Sequence, residues 1–214
     1  MTALLVSGAS GTLGQILLAH LEPAFPRIIA VSRSRPAGLR PSDTFISADL
    51  STHGGIADAC SAVSTPITGV VLATGIDSRR SLTDLADSDF DTCMRTNCLS
   101  QLRLLAAAAT HRAAASPLPV AVISSDVVGG STTATLVYAA SKAALEDGAR
   151  HAVADDEAMP LLLMRLPDIG VPMGTPRDTP RPEPAPAARD AAECATAFLT
   201  TPPPTPAVRM WHHA

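Results

Sequence analysis

The amino-acid sequence predicts an α/β fold, a single domain with a doubly wound parallel sheet of about seven strands and helices on both faces. Three observations predict it. Short apolar runs recur along the chain, separated by stretches whose apolar residues have helical spacing. The runs are continuously apolar, as strands covered on both faces require. The length of 214 residues, 46% hydrophobic and 17% charged, suits one good core and is short for two. Residues 1–214 therefore read as one unit, and no internal repeat is visible.

Taken in order, residues 3–7 are the first strand, by their length and apolar character. Leu13, Ile16, Leu17 and Leu21 then mark one helix face, and Pro23 ends that helix. Residues 27–32 are the second strand, and residues 33–43, with Pro36, Gly38 and Pro41, a loop. Residues 44–48 form the third strand, after which Ser51 or Thr52 can cap a helix reaching Val63. The fourth strand is 68–73. A loop holding Arg79 and Arg80 leads to a long helix over 88–115, with Asp89 and Asp91 near its positive end. Strand 118–124, helix 136–153 and strand 160–166 follow. Residues 167–188 carry many prolines and resist regular structure, so they read as a substrate loop within the domain. A helix over 190–200 and a seventh strand over 207–211 complete the pattern.

Composition excludes several classes. Net charge is -4 with no basic run, which excludes nucleic acid as a partner. No apolar run approaches the ~20 residues that cross a bilayer. Met1 leads directly into a strand with no secretory pattern, so a cytoplasmic location is expected. Cys60, Cys93, Cys98 and Cys194 lack metal or redox spacing and read as free thiols, and no metal is expected. His20, His111 and His151 read as surface residues, and His212 and His213 as native or appended.

Gly8, Gly11 and Gly14 form a Gly-x-x-Gly-x-x-Gly pattern where the first strand ends and the first helix begins. Glycines there permit a tight turn and close approach of a pyrophosphate, and the helix start offers N–H groups and a positive dipole end. With Ser10, Thr12 and Leu13 they form a candidate phosphate-binding turn of a Rossmann fold. Ser32, Arg33, Ser34 and Arg35 follow the second strand. A carboxylate there would hold a ribose 2′-hydroxyl; cations and hydroxyls suit a 2′-phosphate instead, which favours NADP(H) over NAD(H). The plainer reading is a solvated loop. Asp49, beside Leu50 at the end of the third strand, could accept from an adenine amino group or cap the next helix. Ala73, Thr74 and Gly75 end the fourth strand, where backbone would border the cofactor.

Tyr138 is the only tyrosine and Lys142 the only lysine. Four apart on the 136–153 helix, they share a face. A free phenol titrates near ~10, and a cation at ~4 Å in an effective dielectric of ~20 contributes about 4 kcal/mol, enough to bring it near neutrality. Lys142 is therefore expected to lower the Tyr138 pKa. Ser124 and Ser125 end the fifth strand, where a hydroxyl can donate to a substrate carbonyl. Asn97 is the only asparagine, placed mid-helix where that residue is poor unless its side chain has a task.

With these residues in place the chain resembles the short-chain dehydrogenase/reductase superfamily over nearly its whole length. The resemblance matches Asn97, Ser125, Tyr138 and Lys142 to the family's tetrad; Ser125 is preferred to Ser124 by its distance from Tyr138. Leu82, Asp84, Asp89 and Phe90 also fit the family pattern. It implies that Ser125 polarises a carbonyl, Tyr138 is the general acid/base, Lys142 also binds ribose, and Asn97 holds a water relaying protons to Lys142. It extends the cofactor set to Pro167 and Ile169. It implies a homodimer or homotetramer, paired through the helices over 88–115 and 136–153. The chain departs from the commonest pattern in three places. Thr12 stands where a second glycine is usual, Leu72-Ala-Thr-Gly75 replaces the Asn-Asn-Ala-Gly segment, and Pro167-Asp168 replaces Pro-Gly.

The leading reading is an NADPH-dependent enzyme reducing a ketone or aldehyde, or oxidising the alcohol. The alternatives keep the fold: a non-redox dehydratase, isomerase or cyclase, or an NADP(H)-sensing binding protein. Few aromatics and aliphatic stretches at 127–137 and 169–175 suggest an apolar carbonyl substrate.

Overall fold

A computed structural model of the chain describes residues 1–214 apart from 79, 82, 115, 131–135, 155, 172, 174–182, 204–206 and 214. Leu82, the end of the long helix at Ala115 and much of the substrate loop thus lie outside the described residues.

Seven strands form one parallel sheet in the order β3-β2-β1-β4-β5-β6-β7. They are β1 (Ala3–Ser7), β2 (Ile28–Ser32), β3 (Thr44–Ser47), β4 (Ile67–Leu72), β5 (Val120–Ser125), β6 (Leu161–Leu166) and β7 (Val208–His212). β1 pairs β2 on one side and β4 on the other, so the strand order reverses there and the carboxyl ends of β1 and β4 open a crevice.

The helices are α1 (Thr12–Leu21), α2 (His53–Ala62), α3 (Asp87–Met94), α4 (Ser100–Thr110), α5 (Leu136–Ala154) and α6 (Pro186–Thr200). Successive strand residues face opposite layers. Leu5, Val70, Val122 and Leu163 pack against α2, α4 and α5 through Ile56, Leu104 and Leu145. Leu4, Val71, Ala121 and Leu162 pack against α1 and α6 through Leu17, Leu21, Phe198 and the small residues Ala191 and Ala195. Burying each large side chain fully contributes about 1.5–3 kcal/mol, and this double cover holds the strand ends still.

Three elements differ from expectation. The helix expected over 88–115 is α3, one π-helical turn (Arg95–Leu99) and α4, which stops at Thr110. Thr96, Asn97 and Cys98 are weak helix formers, and the wider turn is closed by Ser100 N–H donating to the Arg95 carbonyl. α6 begins at Pro186, inside the segment expected to be irregular, because proline at the first helical position loses no hydrogen bond. β5 extends one residue further, to Ser125. Among the described residues no helix is long and apolar enough to cross a membrane, no cluster could hold a metal, and all four cysteines are free.

Candidate active site

The crevice beyond β1 and β4 is a cavity of about 590 Å³. All the sequence-derived cofactor candidates line it: the 8–14 turn, Ser32 to Ser34, Asp49, Leu50, Ala73 to Gly75, Pro167 and Ile169. So do Ser125, Tyr138 and Lys142. Of the four tetrad residues Asn97 alone does not; it is fully buried behind the wall.

The glycine turn fits a phosphate. Gly8 has a φ of 67°, and an added Cβ would lie 2.7 Å from the Ala73 carbonyl group. A Cβ on Gly14 would meet the Gly8 oxygen at 2.2 Å, so α1 packs directly on the turn. Gly11, the N-cap of α1, is exposed and no side chain caps the helix, so its positive end faces the cavity. At the other side of β1, Arg33 and Ser34 are exposed on the rim beside Asp49.

Asp49 turns out to fix the approach to α2. Its Oδ1 accepts from Ser51 N–H at 3.0 Å and Ser51 Oγ at 2.7 Å, bonds that hold the carboxyl below its usual range. The cap of α2 is Thr52, whose Oγ1 accepts from Gly55 N–H at 3.0 Å.

Ser125, at the end of β5, and Tyr138, on α5, line the same cavity with their side chains close enough to influence each other. The Ser125 hydroxyl also lies 3.3 Å from Asp126 Oδ1. Burial, the largest influence, pushes the Tyr138 phenol well above its ordinary range; the Ser125 hydroxyl opposes it, and Asp77, Cys93 and Asp126 add to it. Lys142 Nζ lies 5.8 Å from the centre of the Tyr138 ring and donates to the Ile123 carbonyl at 2.9 Å. Burial brings its pKa down to about 8, against the attraction of Cys93 and Glu146. The expectation that Lys142 draws the phenol toward neutrality therefore fails in this arrangement. Desolvation of a 7% exposed phenol outweighs a cation over its ring.

The Asn97 side chain is bonded within the protein. Its Oδ1 accepts from Ile76 N–H at 2.8 Å, and its Nδ2 donates to the Ile76 carbonyl at 2.8 Å and to Ser141 Oγ at 2.9 Å. These bonds clamp the loop after β4 to α5. The π-helical turn is what lets Asn97 point there.

Two residues that sequence reasoning missed replace the absent asparagines. Ser7 Oγ accepts from Ala73 N–H at 3.0 Å and donates to Gln101 Oε1 at 2.7 Å. Gln101 Nε2 donates to Ser100 Oγ at 2.8 Å, which donates to the Thr96 carbonyl at 2.7 Å. This buried chain ties the ends of β1 and β4 to α4. The expected aliphatic substrate wall is partly present in Val127, Ile169, Val171 and Met173, but Asp77, Asp126 and Asp168 share it. Residues 131–135, 172, 174 and 175 of that wall lie outside the described residues.

The fold recurs among solved structures. Serine dehydrogenase from Escherichia coli superposes with a TM-score of 0.79 at 14% identity, over 99% of this chain and 96% of that one. An alcohol dehydrogenase from the archaeon Thermococcus sibiricus, complexed with 5-hydroxy-NADP, gives 0.78 at 16% identity, over 100% and 96%. A short chain dehydrogenase from Burkholderia cenocepacia in complex with NADP gives 0.74 at 20% identity, over 97% and 86%. No curated protein matches the sequence significantly. The family model for short chain dehydrogenases matches residues 2–158, most of the chain and every element from β1 through α5. The chain therefore belongs to the short-chain dehydrogenase family, oxidoreductases that use nicotinamide cofactors on small molecules.

Proposed function

We propose that this protein is an NADPH-dependent reductase of a ketone or aldehyde. The observation that carries the reading is that Ser125, Tyr138 and Lys142 line the same cavity as the Gly8, Gly11 and Gly14 turn. NADPH held there would supply the hydride. The N–H groups at the start of α1 would hold the pyrophosphate, and Arg33 with Ser32 and Ser34 the 2′-phosphate. Lys142, beside Gly75 on the cavity floor, would hold a ribose hydroxyl. Two neighbours crystallised with NADP or an NADP derivative support this assignment.

Ser125 donates to the substrate oxygen, and Tyr138 gives it a proton as the carbonyl carbon is reduced. Burial supports this direction, because it keeps the phenol protonated at neutral pH, as an acid must be. Subunit pairing through the helices around 88–110 and 136–154 is supported by Phe90, Leu99 and Leu136, large apolar residues exposed on them at 42%, 37% and 40%.

The test is to mix the protein with NADPH and a panel of ketones and aldehydes and follow loss of reduced-nicotinamide absorbance. Tyr138→Phe should lower turnover by ~10²–10⁴-fold, the usual share of a general acid, with NADPH affinity nearly unchanged. Product formation without net NADPH loss, or near-normal turnover by the variant, would overturn the proposal.

A further inference from the structure

Tyr138, Lys142 and Glu146 are spaced four apart and share one face of α5. That face meets the last residues of β5 rung by rung. Tyr138 stands beside Ser125 on the cavity wall, Lys142 Nζ donates to the Ile123 carbonyl at 2.9 Å, and Ser124 Oγ donates to Glu146 Oε1 at 2.6 Å. Ser124 is 2% exposed and Glu146 1%. From β6, Arg165 Nε donates to Glu146 Oε1 and its Nη2 to Oε2, both at 2.8 Å. Arg150 on α5 stands 3.6 Å from Oε2. One buried carboxylate thus joins α5, β5 and β6 just behind the cavity. The chemistry proposed above uses the first two rungs and leaves the third without a task.

We propose that Glu146, with Ser124 and Arg165, is a positioning device for that reaction. It sets where the end of β5 stands along α5 and so holds the Ser125 hydroxyl against the Tyr138 phenol. The proposal rests on the reading of Ser125 and Tyr138 as the reacting pair. Stability alone does not account for the arrangement, since apolar residues of similar volume replace buried ion pairs at little or no cost. What an apolar contact lacks is direction. Ser124 and Ser125 are consecutive on one strand, so a clamp on the first fixes the second, and a shift of about 1 Å at a reacting group costs on the order of 10²-fold in rate.

Two variants test it. Ser124→Ala removes one rung and leaves the Glu146–Arg165 pair intact. The double substitution E146M/R165M exchanges the pair for apolar side chains. Because Tyr138 is the only tyrosine, protein labelled at the tyrosine Cζ gives a single resonance that reports the phenol's hydrogen bond directly. We expect that resonance to move in both variants. We also expect kcat for carbonyl reduction to fall by roughly 10–100-fold with KM for NADPH within about twofold, a split that mere loosening of the fold would not produce. An unmoved resonance with wild-type kcat in a folded variant overturns the proposal, as does a loss of kcat that only tracks a lowered Tm. If E146M/R165M does not fold, Ser124→Ala decides alone. If the wild-type protein reduces no carbonyl, the redox reading fails and the resonance decides whether the clamp sets the phenol's bond.

Discussion

Arg33 shows how much a single residue is asked to do. It is exposed at the cavity rim between Ser32 and Ser34, with Asp49 close enough to feel its charge. A guanidinium meeting a phosphate contributes about 1.5–3 kcal/mol. Arg33→Ala should therefore raise the Kd for NADPH by roughly ten- to a hundredfold and leave that for NADH near its starting value, as read by titration of nicotinamide fluorescence. Equal losses for both cofactors would assign Arg33 to general electrostatics. Tyr138, Lys142, Asn97 and Arg33 were legible in the sequence because their signals are local: rare residue types, a spacing of four on a helix, cations just after a strand. Ser7, Gln101 and Glu146 were not. Their partners lie far along the chain, Ser7 and Gln101 being 94 residues apart. The sign of the Tyr138 shift escaped for a related reason. A lysine one turn away is visible in sequence, but the depth of burial that outweighs it belongs to the tertiary structure.

At the scale of elements, a strand-to-helix tie replaces a familiar motif with other chemistry. The segment after β4 lacks asparagines, and the serine that ends β1 works through Gln101 on α4 to hold Ala73 N–H. Gln101→Leu keeps the volume but leaves the Ser7 hydroxyl proton without its acceptor in a buried place. Leaving such groups unsatisfied costs about 1–3 kcal/mol. We expect urea unfolding to show that loss, with a smaller m-value change than midpoint change, and NADPH affinity to fall with it as the cavity wall at Ala73 to Gly75 loosens. A variant as stable as the parent would show that the tie is incidental. The π-helical turn belongs to the same scale. Periodicity continues through 88–110, so the pattern reads as one helix, and only the need of Asn97 to reach Ile76 and Ser141 reveals the extra residue.

For the whole molecule, the apolar runs and the glycine turn determine a parallel sheet and a crevice at the strand reversal. The same double burial that makes the sheet stable also controls how the protein answers to alkali. Lys142 has a folded pKa of about 8 against 10.5 in an open chain. Between those values the unfolded chain holds a proton that the folded one lacks, so this residue makes stability rise with pH. The opposite sign holds for Tyr138 and the four cysteines, which burial pushes above their ordinary values of 10.0 and 9.0. There the unfolded chain releases protons first, and stability falls once pH passes those values. Lys142→Met separates the two trends, because it deletes only the rising part and leaves an apolar side chain of similar length. At roughly pH 7 the variant should exceed the parent in unfolding free energy by the cost of burying the ammonium, on the order of 3 kcal/mol less the lost bond to Ile123. That advantage should shrink steadily as pH rises through 8 toward 10.5. Urea unfolding of both proteins across this range measures it, and a gap that stays constant with pH would mean that Lys142 titrates in the fold as it does in water.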